Sequence, residues 1–412
     1  MTTANPARTG EEHYRTPGVY FEEVAPAVVP GFPTGVPAFI GFVEATKDSK
    51  KRAPILLTRY PGHRAFWEQV GQRIGHAGDG RFLEYAVRGF FENGGSRCWV
   101  IPVSLPPSPD ASALFQREGL LEDIEDIDLV CVPDVMLDVI RESPEVVLEI
   151  QRAVLEHCRR MGNRFAILDA FPIHVDGQGA LDAAAIHGAL KQAKALSAAD
   201  GALYLPWIRV AALTGHSSVL VPPCGHVAGV YARTDTRVGI HKAPANEPLE
   251  GVLDLEVDVG NTIQGELNEA GVNCLRAFPR RGIRVWGART LSPQPRWRYV
   301  NVRRVFLTLT RWLERNMSDL VMEPNEPSLW ERIRHRIGAY CYELLQRGAL
   351  QGPSPAEAFF VKCDAETNPP ASREAGQVIA ELGLATLVPT EFIIIRITLS
   401  VAGTTVTVPT GF

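Results

Sequence analysis

Between Ala270 and Leu313 the chain has no aspartate, no glutamate and no lysine. Other absences bound what it can be. No run of about 18 uncharged apolar residues occurs, and the most apolar stretch, Phe392 to Val401, is broken by Arg396. That excludes a transmembrane helix and direct membrane insertion. The opening residues, MTTANPARTGEEHYR, lack an apolar core, so no signal peptide is read there. Gly-Lys never occurs, which excludes a Walker A loop, and there is no His-Glu-x-x-His pair for zinc. The cysteines (98, 131, 158, 224, 274, 341 and 363) are seven, and no two stand at metal-ligand spacing. They read as isolated buried thiols of a reducing cytoplasm, with no metal or cofactor expected.

What the acid-free stretch does contain is arginine. Ten fall there: 276, 280, 281, 284, 289, 296, 298, 303, 304 and 311. The protein is net -5, so the remainder sums to -5 - 10 = -15. Segregated charge of this kind focuses a field toward an acidic partner. Guanidinium suits planar, partly desolvated contacts with carboxylates better than ammonium does. A solvated basic face with a few internal ion pairs is the alternative.

Candidate enzyme features do not assemble. The glycines at 71, 75, 78 and 80 have the wrong spacing for a dinucleotide loop and read as a loop. Thr214 to Ser218 is not a nucleophile elbow. Glu122, Asp123, Glu125, Asp126 and Asp128 read as a solvated acidic loop. His226 has no serine, cysteine or acid placed beside it by the sequence and reads as packed or hydrogen-bonded. No catalytic residue is assigned, and the protein is not expected to be an enzyme.

Organisation follows from periodicity. Gly18 to Val24 is a single β-prone segment stopped by prolines at 26, 30, 33 and 37, so its pairing partner is distant or on another chain. From 36 to 220, apolar runs at Cys98–Val103, Leu129–Val132 and Phe165–Leu168 alternate with helical stretches at 82–91, 144–160 and 181–195, an α/β layer. Val302, Val305, Phe306, Leu309 and Leu313 form one helical stripe, with Arg304, Arg311 and Arg315 on another face. Ser328 and Glu331 have capping-box spacing for a second helix that ends at Gly348. Val378 to Leu384 and Phe392 to Leu399 alternate as strands.

Gly282-Ile283-Arg284-Val285-Trp286-Gly287-Ala288-Arg289-Thr290-Leu291 resembles the signature segment of contractile tail sheath proteins. Thr16 to Tyr20, Val36 to Gly41, Phe90 to Ser96, Pro222 to Arg233, Lys242 to Asn246, Tyr299 to Arg304 and Glu391-Phe392 match in the same order. The resemblance spans nearly the whole chain and is weakest from Ser104 to Ala202. It implies an α+β or α/β subunit in two parts. The expected division is an N-terminal arm (1–27), an outer α/β domain (28–245) and an inner domain with a C-terminal arm (246–412). It also implies a helical homopolymer around an inner tube protein, with baseplate and terminal cap proteins as further partners. Such a sheath assembles in the cytoplasm and becomes part of a phage-tail-like particle. Donated strands would carry Val19, Tyr20, Phe21, Phe392, Ile394, Ile397 and Leu399 to neighbouring subunits. Arg296, Arg298, Arg303, Arg304, Arg311 and Arg315 would face the tube. The alternative reading is a nucleic-acid-binding protein using the arginines of 276–315, which the chain's overall acidity disfavours.

Overall fold

The computed structural model describes residues 33–43, 53–66, 68, 82–104, 115, 121–173, 182–387, 393–400 and 403–407. The arm residues Val19, Tyr20 and Phe21, the glycines at 71–80, and Phe392 lie outside them.

The centre is a sheet of nine strands. In chain order they are β1 (Pro37–Val43), β2 (Ile55–Leu57), β3 (Cys98–Ser104), β4 (Leu129–Cys131), β5 (Phe165–Asp169), β6 (Gly201–Leu205), then β9 (Glu247–Pro248), β11 (Val272–Phe278) and β12 (Gly282–Val285). Their spatial order is β2-β3-β1-β4-β5-β6-β11-β12-β9. The run from β3 to β11 is parallel, and β2, β12 and β9 add antiparallel edges. Between β6 and β11 in sequence lies a small antiparallel sheet, ordered β10-β7-β8, of β7 (Ile208–Ala211), β8 (Ser218–Val221) and β10 (Val252–Leu255).

A parallel sheet is buried on both faces, so its strands read as unbroken apolar runs. The two faces take alternate residues. Ala38, Ile40, Val130, Ala166, Leu168 and Leu203 enter one core; Phe39, Leu129, Cys131, Phe165, Ile167 and Tyr204 enter the other. Helices α2 (Pro144–Met161) and α3 (Ala183–Ala195) supply the first core with Val147, Ile150, Val154 and Ile186. Helices α1 (Phe82–Glu92) and α4 (Cys224–Arg237) supply the second with Leu83, Phe90, Val227 and Tyr231. The expected α/β layer is present. Its sheet does not stop at 245: β9, β11 and β12 come from 247–285, so a boundary at 245/246 would cut through hydrogen-bonded strands.

After α5 (Asn261–Glu269), β11 and β12, the chain changes character. Helix α6 (Val300–Asn316) buries the stripe Val302, Val305, Phe306, Leu309 and Leu313, as its spacing predicts. It is also buried on a second side through Val300 and Leu307, which join the sheet core. Helix α7 (Pro327–Gln346) stacks Tyr340 on Trp312 at 4.1 Å. Its start differs from expectation. Pro327 occupies the first turn, where its missing N–H costs nothing, and no side chain caps the helix; the Ser328 hydroxyl donates to Glu326 instead. Gly348 follows the helix at φ 70, the left-handed conformation expected there.

A four-stranded antiparallel sheet completes the described chain: β13 (Phe359–Lys362), β14 (Val378–Leu384), β15 (Ile393–Ser400) and β16 (Gly403–Thr407), in that order.

Candidate functional surface

Arg304 and Arg311 do not face outward. Two turns apart on α6, they lie on the same side as Val300 and Leu307 and are 2% and 3% exposed. Arg304 grips Asp235 with both ends of its fork, Nη1 to Oδ1 at 2.9 Å and Nη2 to Oδ2 at 2.6 Å, and Nη2 also reaches Asp128 at 3.2 Å. Its guanidinium lies 4.9 Å from the Tyr231 ring centre. Burial opposes the charge of Arg304, but Asp235 and Asp128 outweigh it and hold the pKa above its ordinary value.

Asp128 is the hub. Its carboxylate accepts from Gly35 N at 3.0 Å and Val36 N at 2.6 Å, and lies 3.9 Å from Arg311. Arg311 in turn donates to the carbonyls of Pro33 and Asp126. The segment entering β1 is thus tied to α6 by a cluster of two arginines and two aspartates. Gly35 is required at this point: its φ is +72, and a Cβ there would stand 2.5 Å from Ala232 Cα.

Arg303 is also spent inside the subunit. Its Nε and Nη2 both donate to Asp200 Oδ1, at 2.8 and 2.7 Å, while its guanidinium sits 4.7 Å from the Trp297 ring centre. The expectation that Arg303, Arg304 and Arg311 face a tube is therefore corrected: buried carboxylates take their charge. The supposedly solvated acidic loop supplies part of it. Besides Asp128, Asp126 accepts from Trp99 Nε1 and pairs with Arg97, and Glu122 pairs with Arg160. An acid-free, arginine-rich stretch in a chain that is otherwise net acidic was the signal for this neutralisation.

The other three candidates lie nearer solvent. Arg298 and Arg315 are exposed, and Arg296 is half-buried, donating to Gln294 beside the Trp297 ring.

The predicted terminal strands are placed in part. Ile394, Ile397 and Leu399 lie in β15 opposite Gly383, Ala380 and Val378 of the same chain. Since β16 pairs on the other side, β15 is an interior strand of this chain's own sheet. The physical reason is plain: β14 offers seven consecutive in-register partners, which satisfy the β15 backbone locally. Among the described residues the edges of this sheet are β13 and β16.

His226 is fully buried where α4 crosses α1, with both ring nitrogens unpaired among the described residues. A Cβ at Gly89 would come within 2.2 Å of its ring, and one at Gly225 within 2.3 Å of the Ala86 backbone. Burial, helped by nearby Arg88, lowers its pKa to about 3, so the ring is neutral. It is packed rather than hydrogen-bonded. All seven cysteines are buried and unbridged. Among the described residues no group of three or more His, Cys, Asp or Glu could hold a metal, and no helix is long and apolar enough to cross a membrane.

A doubly covered parallel sheet, joined to a helix pair and a separate antiparallel sheet, defines a two-part α/β subunit in which Arg303, Arg304 and Arg311 are used for internal architecture. Comparison with known proteins gives its kind. Residues 121–291 match the phage tail sheath protein central domain and 292–400 the phage tail sheath C-terminal domain. The chain belongs to the contractile tail sheath family. It is 25% identical over 190 residues to the tail sheath protein of Burkholderia phage BcepMu; the match takes in 43% of this chain and spans only 38% of that relative's length. Similarity to solved structures extends further. A chain of the anti-feeding prophage baseplate is 29% identical, with 92% of this chain and 98% of that one covered and a TM-score of 0.70. The anti-feeding prophage helical sheath in its contracted state is 28% identical, with 92% and 98% covered and a TM-score of 0.69.

Proposed function

We propose that this chain is the structural subunit of a contractile sheath, and not an enzyme. It polymerises helically around an inner tube and drives that tube through a target envelope on contraction. The observation that carries this reading is its likeness, over 92% of its length, to the contracted helical sheath of the anti-feeding prophage. Baseplate and terminal cap proteins are its further partners, and assembly takes place in the cytoplasm before the particle is released.

The mechanism rests on linkage. The extended sheath is a higher-energy arrangement; release at the baseplate lets subunits move as near-rigid bodies into one that buries more surface. Rigidity of the unit is what the internal ion pairs support, since two buried arginines tie α6 to α4, β4 and the entry to β1. The N-terminal arm, 1–27, links neighbours, with the outer strands β13 and β16 as its acceptors. Helices α6 and α7 with this four-stranded sheet form the inner part, and the nine-stranded sheet the outer part. Arg296, Arg298 and Arg315 remain the tube-facing candidates. Each such wet ion pair is worth only about 0–1 kcal/mol, so the contacts hold register by repetition and break readily.

The nucleic-acid alternative loses Arg303, Arg304 and Arg311 to internal carboxylates.

The test is negative-stain electron microscopy of the purified chain. Hollow striated cylinders are expected; a monodisperse monomer at every concentration would overturn the reading.

A further inference from the structure

The β11–β12 hairpin carries a second group of arginines whose situation is the reverse of the buried cluster. Arg276, Arg280, Arg281 and Arg284 stand on its strands and its tip, and none pairs with a carboxylate among the described residues. Elsewhere the surface arginines commonly do: Arg141, Arg159, Arg237, Arg334, Arg336 and Arg347 each sit on an Asp or Glu. On the hairpin three of the four guanidiniums, those of Arg276, Arg281 and Arg284, are held by neutral groups. Arg276 donates to the amide oxygens of Asn261 and Gln264, both at 2.7 Å. Arg281 donates to Asn246 Oδ1 at 2.7 Å, and Arg284 to the Asn246 carbonyl at 2.6 Å. The Arg276 and Arg281 guanidiniums each lie 5.6 Å from the ring centre of Phe278, which packs on Trp286 at 4.5 Å. Amide oxygens and an aromatic face fix the positions of these cations without cancelling their charge. That is a pre-ordered set of bidentate donors awaiting carboxylates.

The same chain offers the counterpart. Between Asp138 and Glu149 it holds Asp138, Glu142, Glu145 and Glu149 against Arg141, a sum of -4 + 1 = -3. Glu142 and Glu145 are exposed, and neither pairs with a cation among the described residues. This acidic patch surrounds the start of α2, which follows β4 and so lies at the carboxyl end of the parallel strands. The hairpin tip projects from that same end, because β11 runs parallel to β6. Three strand steps separate β4 from β11, the nearer strand of the hairpin, about 14 Å at the usual strand spacing. No ion pair joins the two patches within the subunit among the described residues. Two different complementary patches on one chain produce a head-to-tail contact that propagates.

We propose that the arginine hairpin docks on a second copy of this chain, at the acidic start of α2, as a salt-sensitive contact between sheath subunits. The inference rests on the sheath reading above. The carboxylates of Glu142 and Glu145 accept from Arg280, Arg281 and Arg284, of which Arg281 and Arg284 are already positioned by Asn246, and Arg281 also by Phe278.

The experiment is a charge swap in the full-length chain, with folding checked by circular dichroism and melting, and assembly by sedimentation and electron microscopy. The variants are R280E/R281E/R284E, E142R/E145R and the two combined. Each single-patch reversal is expected to stay folded and leave the pelleted fraction. The combined variant is expected to return to it, because hairpin and patch are again opposite in sign. A hairpin reversal that assembles like the parent would overturn the contact, and so would one that loses only the binding of a tube protein or nucleic acid. A combined variant that is folded yet remains soluble would overturn it too. If the parent chain itself never assembles, the sheath reading falls and this contact with it; if the parent and the hairpin variant both assemble, this contact falls alone.

Discussion

Arg304 and Asp235 close a two-point fork at 2.9 and 2.6 Å, with both side chains 2% exposed. The pair bonds α6, which follows the central domain, to α4 within it. Its value is asymmetric. Replacing a buried pair by apolar groups can be neutral, but removing one partner strands the other charge. Asp235→Ala should therefore cost about 3–5 kcal/mol, and Arg304→Glu should abolish folding by placing a third carboxylate beside Asp128 and Asp235. Denaturant unfolding of soluble variants checks this. A loss of under about 1 kcal/mol, in the range of an exposed pair, would mean that the fork is open in solution.

Acid should weaken the fold through His226. Its pKa is about 3 in the folded state, against an ordinary value of 6.5. A histidine kept neutral by burial contributes its full share above pH 6.5. That share falls as pH drops from 6.5 toward 3, because only the unfolded chain takes up the proton there. The slope approaches about 1.4 kcal/mol per pH unit. His226→Leu should flatten the acid limb between pH 6 and 4 relative to the parent, whatever its effect at neutral pH. Parallel curves for the two proteins would show that other groups, such as the buried His157, account for the acid sensitivity.

The crossing of α1 and α4 should tolerate no added bulk. A Cβ at Gly225 would stand 2.3 Å from the Ala86 backbone, and one at Gly229 2.5 Å from the Phe90 carbonyl. Backbone cannot yield as a side-chain tip can. Gly225→Val should cost at least the 1–3 kcal/mol of an overpacked core, read as a drop in melting temperature. An unchanged melting temperature would place the two helices farther apart than they stand here.

The chain ends should differ in what they cost. Deleting residues 1–24 should leave a folded subunit that no longer forms cylinders. Truncation after Val388 should also destabilise the subunit, since it removes β15 and uncovers the full length of β14. Melting curves and sedimentation of both variants separate the two effects. Long cylinders from the N-terminal deletion would end the case for arm donation.

Much of the fold was legible because its signals are local. The apolar runs at Leu129 and Phe165 announced buried strands, and the 302–313 stripe announced a helix with one face inward. The missed second buried side of α6 shows the limit. Val300, Arg304, Leu307 and Arg311 have helical spacing, but two of the four are arginines, and periodicity treats arginine as polar. Whether a guanidinium meets water or a buried aspartate depends on what packs across from it. The same holds for Ile394, Ile397 and Leu399. Alternation identifies a strand, but not whether its partner is β14 of the same chain or the edge of another.

The sequence by itself determined the family, through collinear words such as Gly282 to Leu291, and the alternation that builds the α/β layer. It also determined that positive charge would gather in one acid-free stretch. Only the tertiary structure decided how that charge is divided. Arg303, Arg304 and Arg311 are neutralised by Asp200, Asp128 and Asp235, which lie 69 to 183 positions away in sequence, while Arg276, Arg281 and Arg284 are held by uncharged amides. Coulomb attraction acts on distance in space, and the folding of the sheet sets which distant carboxylates come within reach.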